Sequence, residues 1–223
     1  MKKVYTERTC GEHSRTSRSG FTLAEMLVVL GVLSILGLIV LTIFTRSLRS
    51  TNKTQVTLSI KENGQSVLEN LDKSIRNSDD LVCPALAEGE TKVSSNTLVV
   101  FKEGVYTRYR ISLPSDTTTS PTCAENGCVA MDFPVKTTEE TTDQLFINRV
   151  CNSTDPLTAP TVLTDSDSEK GIMIDQGAFT LDRKSGFNDF ITIKFVLKAP
   201  PGAPTAVAGQ IDPVNFETTV QLR

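Results

Sequence analysis

Residues Phe21–Phe44 read FTLAEMLVVLGVLSILGLIVLTIF, an apolar run of 24 residues with a single charge, Glu25. At ~1.5 Å rise per residue, a helix of this length crosses a ~30 Å hydrocarbon layer with some tilt. Runs so long and so uniformly apolar are rare inside soluble domains, so the segment is read as membrane-embedded. An ordinary secretory signal does not describe it. Such signals have apolar stretches of ~7–15 residues and a small-residue cleavage site, and no such site follows Phe44. Basic residues flank the run on both sides: Arg15 and Arg18 before it, Arg46, Arg49 and Lys53 after it. The short N-terminal flank is the expected cytoplasmic side, because a long following domain is exported whatever its charge.

The chain has 223 residues, enough for an anchor and one further domain but too few for a large multidomain enzyme. Its 23 basic and 26 acidic residues leave a formal charge of −3, which argues against nucleic-acid binding driven by bulk charge. The distribution is uneven. Residues 1–20 hold Lys2, Lys3, Arg8, Arg15 and Arg18 against Glu7 and Glu12, a net +3, so the remainder carries −6. The one histidine, His13, lies in that basic stretch, which excludes histidine-dependent catalysis from the rest of the chain. Of the five cysteines, Cys10 is also there, leaving Cys83, Cys123, Cys128 and Cys151. Loss of the first 20 residues would convert an odd cysteine count into an even one, which suits an oxidising compartment.

A carboxylate five residues into a membrane helix costs roughly 2–3 kcal/mol on insertion scales. The helix macrodipole returns only ~0.3–1 kcal/mol of that in the first turn. This suffices at the interface. If Glu25 is packed among other helices it needs a cation, and a free amine at residue 21, with a pKa of ~8, would supply one after a cut following Gly20.

Ser19-Gly20-Phe21-Thr22-Leu23-Ala24-Glu25, followed by the apolar run, resembles the N-terminal signal of type IV pilins and type II secretion pseudopilins. The resemblance implies that a prepilin peptidase cuts after Gly20 on the cytoplasmic side and methylates the new amine of Phe21. It implies that Glu25 pairs with a neighbouring amine during filament assembly. The implied partners are that peptidase, other pilins or pseudopilins met through the helix, the inner-membrane assembly machinery, and membrane lipid before assembly. The implied location is the inner membrane, single-pass with the body outside, and later a periplasmic or surface filament. Three departures point toward a minor rather than a major subunit. Ser19 separates Arg18 from Gly20, the leader is long at 20 residues, and the first proline is Pro84, so the helix lacks a mid-helix proline.

Beyond Phe44 the apolar positions become periodic. Val56, Ile60, Val67, Leu71 and Ile75 form one helical stripe with polar residues between them. One helix is expected from about Thr22 to Ile75, with Gly64 a site that tolerates a kink. The stripe is expected to pack on a following sheet; a coiled-coil partner fits less well because the pattern is not heptad.

From Leu81 onward helical periodicity gives way to strand signals. Thr97–Phe101 and Val105–Leu113 flank Lys102-Glu103-Gly104, a hairpin turn. Gln144–Val150, Ile172–Ile174 and Ala178–Leu181 are shorter strand candidates. Ile191, Ile193, Phe195 and Leu197 share one strand face, as do Phe216, Thr218, Val220 and Leu222. Ser112–Glu125, Pro134–Asp143 and Asn152–Gly171 are polar and read as loops. The fold class is α+β, a long N-terminal helix packed on a C-terminal antiparallel sheet. The expected organisation is a leader over 1–20 that is removed, a transmembrane or filament-core helix over 21–44, its amphipathic continuation over 45–78, and an exported β-rich domain over 79–223.

Cys123 and Cys128 can close a small loop and Cys83 can reach Cys151, but four cysteines allow three pairings. A zinc site is the competing reading; outside the cytoplasm disulfides are preferred. Asp165, Asp167 and Glu169 alternate as a calcium loop would, yet lack the glycine and distal glutamate of an EF-hand, and a solvated loop is preferred. Asn152-Ser153-Thr154 fits a glycosylation acceptor. No nucleophile elbow, phosphate loop or cofactor fingerprint occurs, so no enzyme activity and no cofactor are expected. The leading function is a filament subunit. The alternative is an uncleaved, membrane-anchored binding module.

Overall fold

The computed structural model describes residues 20–114, 123–165, 167, 171–184, 186, 188–203 and 211–222. The chain divides into two compact units, residues 1–47 and 48–223. Helix α1, Leu23–Arg76, enters both. No proline precedes Pro84, so nothing in the sequence interrupts it. It ends where Ser78 turns back, with the Ser78 hydroxyl donating to the Ile75 carbonyl at 2.7 Å. Arg76 in the last turn pairs with Asp72 at 2.8 Å and suits the negative end of the helix.

Among the described residues nine strands follow in two antiparallel sheets. They are β1 (Asp80–Cys83), β2 (Lys92–Ser95), β3 (Thr97–Lys102), β4 (Val105–Ser112) and β5 (Cys128–Asp132), then β6 (Thr161–Val162), β7 (Met173–Asp182), β8 (Phe190–Lys198) and β9 (Val214–Gln221). A short helix α2, Asp143–Cys151, lies between β5 and β6. The five-stranded sheet has the order β1-β3-β4-β5-β6 and the four-stranded sheet β2-β7-β8-β9. The chain changes sheets at Asn96, whose carbonyl accepts from the Ile111 N–H at 2.9 Å. This is the expected α+β class.

One core joins the helix to both sheets. Ile60, Val67, Leu71 and Ile75 of α1 meet Leu98, Val100, Tyr109, Ile111 and Val129 of the first sheet. The same stripe meets Phe179, Ile191, Ile193, Phe195, Phe216 and Val220 of the second. Gly64 fills the gap in the stripe between Ile60 and Val67, and it is buried. The helix is continuous through the glycine. The glycine serves close approach: the Phe216 ring occupies the space a Cβ would need. Phe216 stacks in turn on Phe195, with centroids 5.3 Å apart.

The structure corrects two strand expectations. Residues 144–150 are helical, not extended: Thr142 caps α2 by accepting from the Leu145 N–H at 3.4 Å, and Phe146 and Val150 form its buried face. Alternation in QLFINRV suits a strand on paper, but the cap and the four-residue spacing of the buried pair win. Ile172–Ile174 and Ala178–Leu181 belong to one long element, since β7 runs through both with a bulge between Ile174 and Gln176. Strands β1, β2, β5 and β6 have no counterpart among the sequence expectations, and β6 pairs with β5 inside the 152–171 stretch expected to be loop.

Candidate functional site: the start of the long helix

Gly20 and Phe21 precede α1 in a non-helical, exposed segment. Space around Gly20 is open, and Phe21 is 77% exposed. Thr22 is the capping position. Its Oγ1 accepts from the Glu25 N–H at 3.2 Å, while Glu25 Oε2 accepts from the Thr22 N–H at 3.4 Å. This reciprocal capping box satisfies two backbone donors that a helix start otherwise leaves open. The signal was in the sequence as Thr22-x-x-Glu25, but the reading of Glu25 as a charge alone passed over it. Glu25 thus has a local partner before any neighbouring subunit is considered.

Downstream, the polar side chains of the apolar segment turn inward on their own backbone. The hydroxyls of Ser34 and Thr42 donate to the carbonyls of Leu30 and Leu38, each at 2.8 Å, and Thr45 donates to Thr42 at 3.0 Å. No donor there needs water, which is the condition for a segment in hydrocarbon. The apolar side chains from Leu23 to Phe44 are exposed throughout, and the helix is long and apolar enough to cross a membrane.

The remaining sequence candidates lie in the second unit. Cys83 is bonded to Cys151 and Cys123 to Cys128, with Cα–Cα distances of 5.7 and 5.3 Å. All four sulfurs are thereby consumed, so the zinc reading fails. In the acidic loop Asp165 Oδ1 accepts from the Asp167 N–H at 3.1 Å, and the Asp165 N–H donates to Asn63 of α1 at 3.0 Å. Glu169 lies outside the described residues. Among the described residues no three side chains gather as metal ligands. Asn152 forms an Asx turn, its Oδ1 accepting from the N–H and hydroxyl of Thr154 at 3.0 and 2.9 Å.

A buried ionic cluster escaped the sequence reading. Arg108 and Arg110 alternate with Tyr109 and Ile111 along β4, so they point away from the core onto the face that α2 and residues 152–158 cover. Arg108 grips Asp132 through Nε and Nη2 at 2.9 and 2.7 Å, and its Nη1 reaches Asp155 at 2.5 Å. Arg110 donates to the carbonyls of Asp155 and Asn152 at 2.5 and 3.0 Å. Burial disfavours the Arg108 charge, but the bonds to Asp132 and Asp155 outweigh it and hold the guanidinium above its ordinary range. Nearby, Arg149 bonds Glu140 at 2.6 Å and, with the Thr137 N–H, lowers the Glu140 carboxyl to about 2. These groups are matched to one another. The cluster fastens a loop.

Residues 15–43 match the family model described as the prokaryotic N-terminal methylation motif. No match was found among curated proteins or among solved structures. The matched residues run through Gly20, Phe21, the capped helix start and nearly all of the apolar run, which identifies this segment as a type IV pilin-like prepilin signal.

Proposed function

We propose that the chain is a pilin or pseudopilin subunit, cut by prepilin peptidase between Gly20 and Phe21 and methylated on the Phe21 amine. The match over residues 15–43 supports this reading. In it, residues 1–20 are a leader that is removed, the first unit's apolar helix is held by lipid with the N-terminus cytoplasmic, and the body stands outside. Extraction into a filament then buries the apolar helix against its neighbours, a gain that scales at ~25 cal/mol per Å². In the filament Glu25 leaves its Thr22 partner for the amine of a neighbouring Phe21. The absence of proline before Pro84 favours a minor subunit over a major one. The chain then acts by assembly, with no reaction of its own. Mass spectrometry of the N-terminus of the membrane-extracted protein tests this. A chain beginning at methylated Phe21 is expected; one that keeps residues 1–20 makes the protein a plain membrane-anchored module.

A further inference from the structure

We propose that Arg46, Arg49 and Lys53 form a binding surface for anionic phospholipid headgroups. The three follow one another along α1 at steps of three and four residues, which puts them on one helix face. All three are exposed, and among the described residues none makes an ion pair. Arg46 lies two residues beyond Phe44, the last residue of the apolar run. From Arg46 to Lys53 the helix rises ~10 Å, enough to carry the charges through the polar layer that adds ~5–8 Å to each side of the hydrocarbon. Guanidinium groups match phosphate oxygens in pairs, and their aliphatic stems tolerate the apolar boundary.

Charge distribution points the same way. No aspartate or glutamate occurs between Glu25 and Glu62, whereas Arg46, Arg49, Lys53 and Lys61 fall in that interval. From Glu62 to the end there are 14 basic and 23 acidic residues, a net charge of −9. An anionic surface therefore attracts the start of the exposed helix and repels the body. The consequence is a membrane-held subunit whose span is fixed in depth. This holds whether or not residues 1–20 are removed, so it does not depend on the proposed processing.

The test is native mass spectrometry of the full chain in a neutral detergent, titrated separately with phosphatidylglycerol and phosphatidylcholine. The parent is expected to bind phosphatidylglycerol at least ~10-fold more tightly, from a contribution of about fivefold per surface-facing charge. The triple variant Arg46→Gln/Arg49→Gln/Lys53→Gln should lose most of that preference. Lys61→Gln, and the charge-conserving pair Arg46→Lys/Arg49→Lys, should keep it. Arg15 and Arg18 are common to every variant, so the difference reads the stripe alone. Equal binding of both lipids by the parent, or an undiminished preference in the triple variant, overturns the proposal. A triple variant that keeps the lipid preference but no longer cross-links to neighbouring subunits overturns it too, and assigns the stripe to a protein contact.

Discussion

Gly20 stands in open space, so a side chain there disturbs nothing in the folded chain. Gly20→Val should therefore accumulate as full-length, membrane-held precursor, seen by immunoblot as a single slower band; normal mature product would contradict the cut after Gly20. Glu25 calls for a paired test, because the helix cap gives it one role and the proposed filament another. If capping is its whole role, Glu25→Leu and Thr22→Val each lose part of one box, at ~0.5–2 kcal/mol, and enter filaments about equally well. If it neutralises a buried amine in the filament, Glu25→Leu leaves that charge unmatched at roughly 3–5 kcal/mol, while Thr22→Val keeps the carboxylate. The expected result is that both variants reach the membrane, with Glu25→Leu alone poorly recovered in the assembled fraction on co-purification. The charge of Glu25 was plain in the sequence. Its cap was written there as well, in Thr22, but a charge inside an apolar run draws attention away from a local hydrogen bond.

At the scale of elements, α1 depends on Gly64. Gly64→Val puts two methyl groups and a Cβ where the Phe216 ring lies, so the ring must move or the helix must shift. Overpacking of this kind costs about 1–3 kcal/mol, read as a lower denaturation midpoint of the detergent-solubilised protein; Phe216→Ala in the same background should recover part of it. The α2 region should respond to acid. The Glu140 carboxyl sits at about 2 in the folded chain, below the usual ~4.3, so its contribution is complete above the unfolded value and lost as pH falls toward 2. The protection factor of the Thr137 amide, whose N–H donates to Glu140 at 2.7 Å, should fall across that window. The helix and the late strands were legible because their periods are long and clean: the stripe from Val56 to Ile75, and the alternations at Ile191–Leu197 and Phe216–Leu222. Helix α2 was not, because over seven residues QLFINRV satisfies both periods and the decision rests on Thr142 and on what Phe146 touches. Nor was the burial of Arg108 and Arg110. Alternating charges normally mark a wet face, and only the distant Asp132 and Asp155 reverse that reading.

At the scale of the whole molecule, the two disulfides differ in reach. Cys83–Cys151 spans 68 residues and ties β1 to the end of α2, while Cys123–Cys128 spans five. On loop-closure entropy the long one stabilises by about 4 kcal/mol and the short one by about 2. Thermal unfolding of Cys83→Ala/Cys151→Ala should accordingly fall further than that of Cys123→Ala/Cys128→Ala, and equal shifts would contradict the entropic account. The four thiols of the parent should resist alkylation until reduced. The pairing is also nested, one bridge lying wholly inside the other. A body exported behind an N-terminal anchor presents Cys83, then Cys123, then Cys128, then Cys151. Oxidation in order of arrival would join Cys83 to Cys123 and Cys128 to Cys151, and neither bond is native. Cys83 must wait with a free thiolate until the last partner emerges, or be released later by thiol attack on a wrong bond. Maturation of this domain is thus timed by its slowest sulfur: oxidation that outruns export yields a scrambled isomer, which only thiol–disulfide exchange returns to the nested pairing.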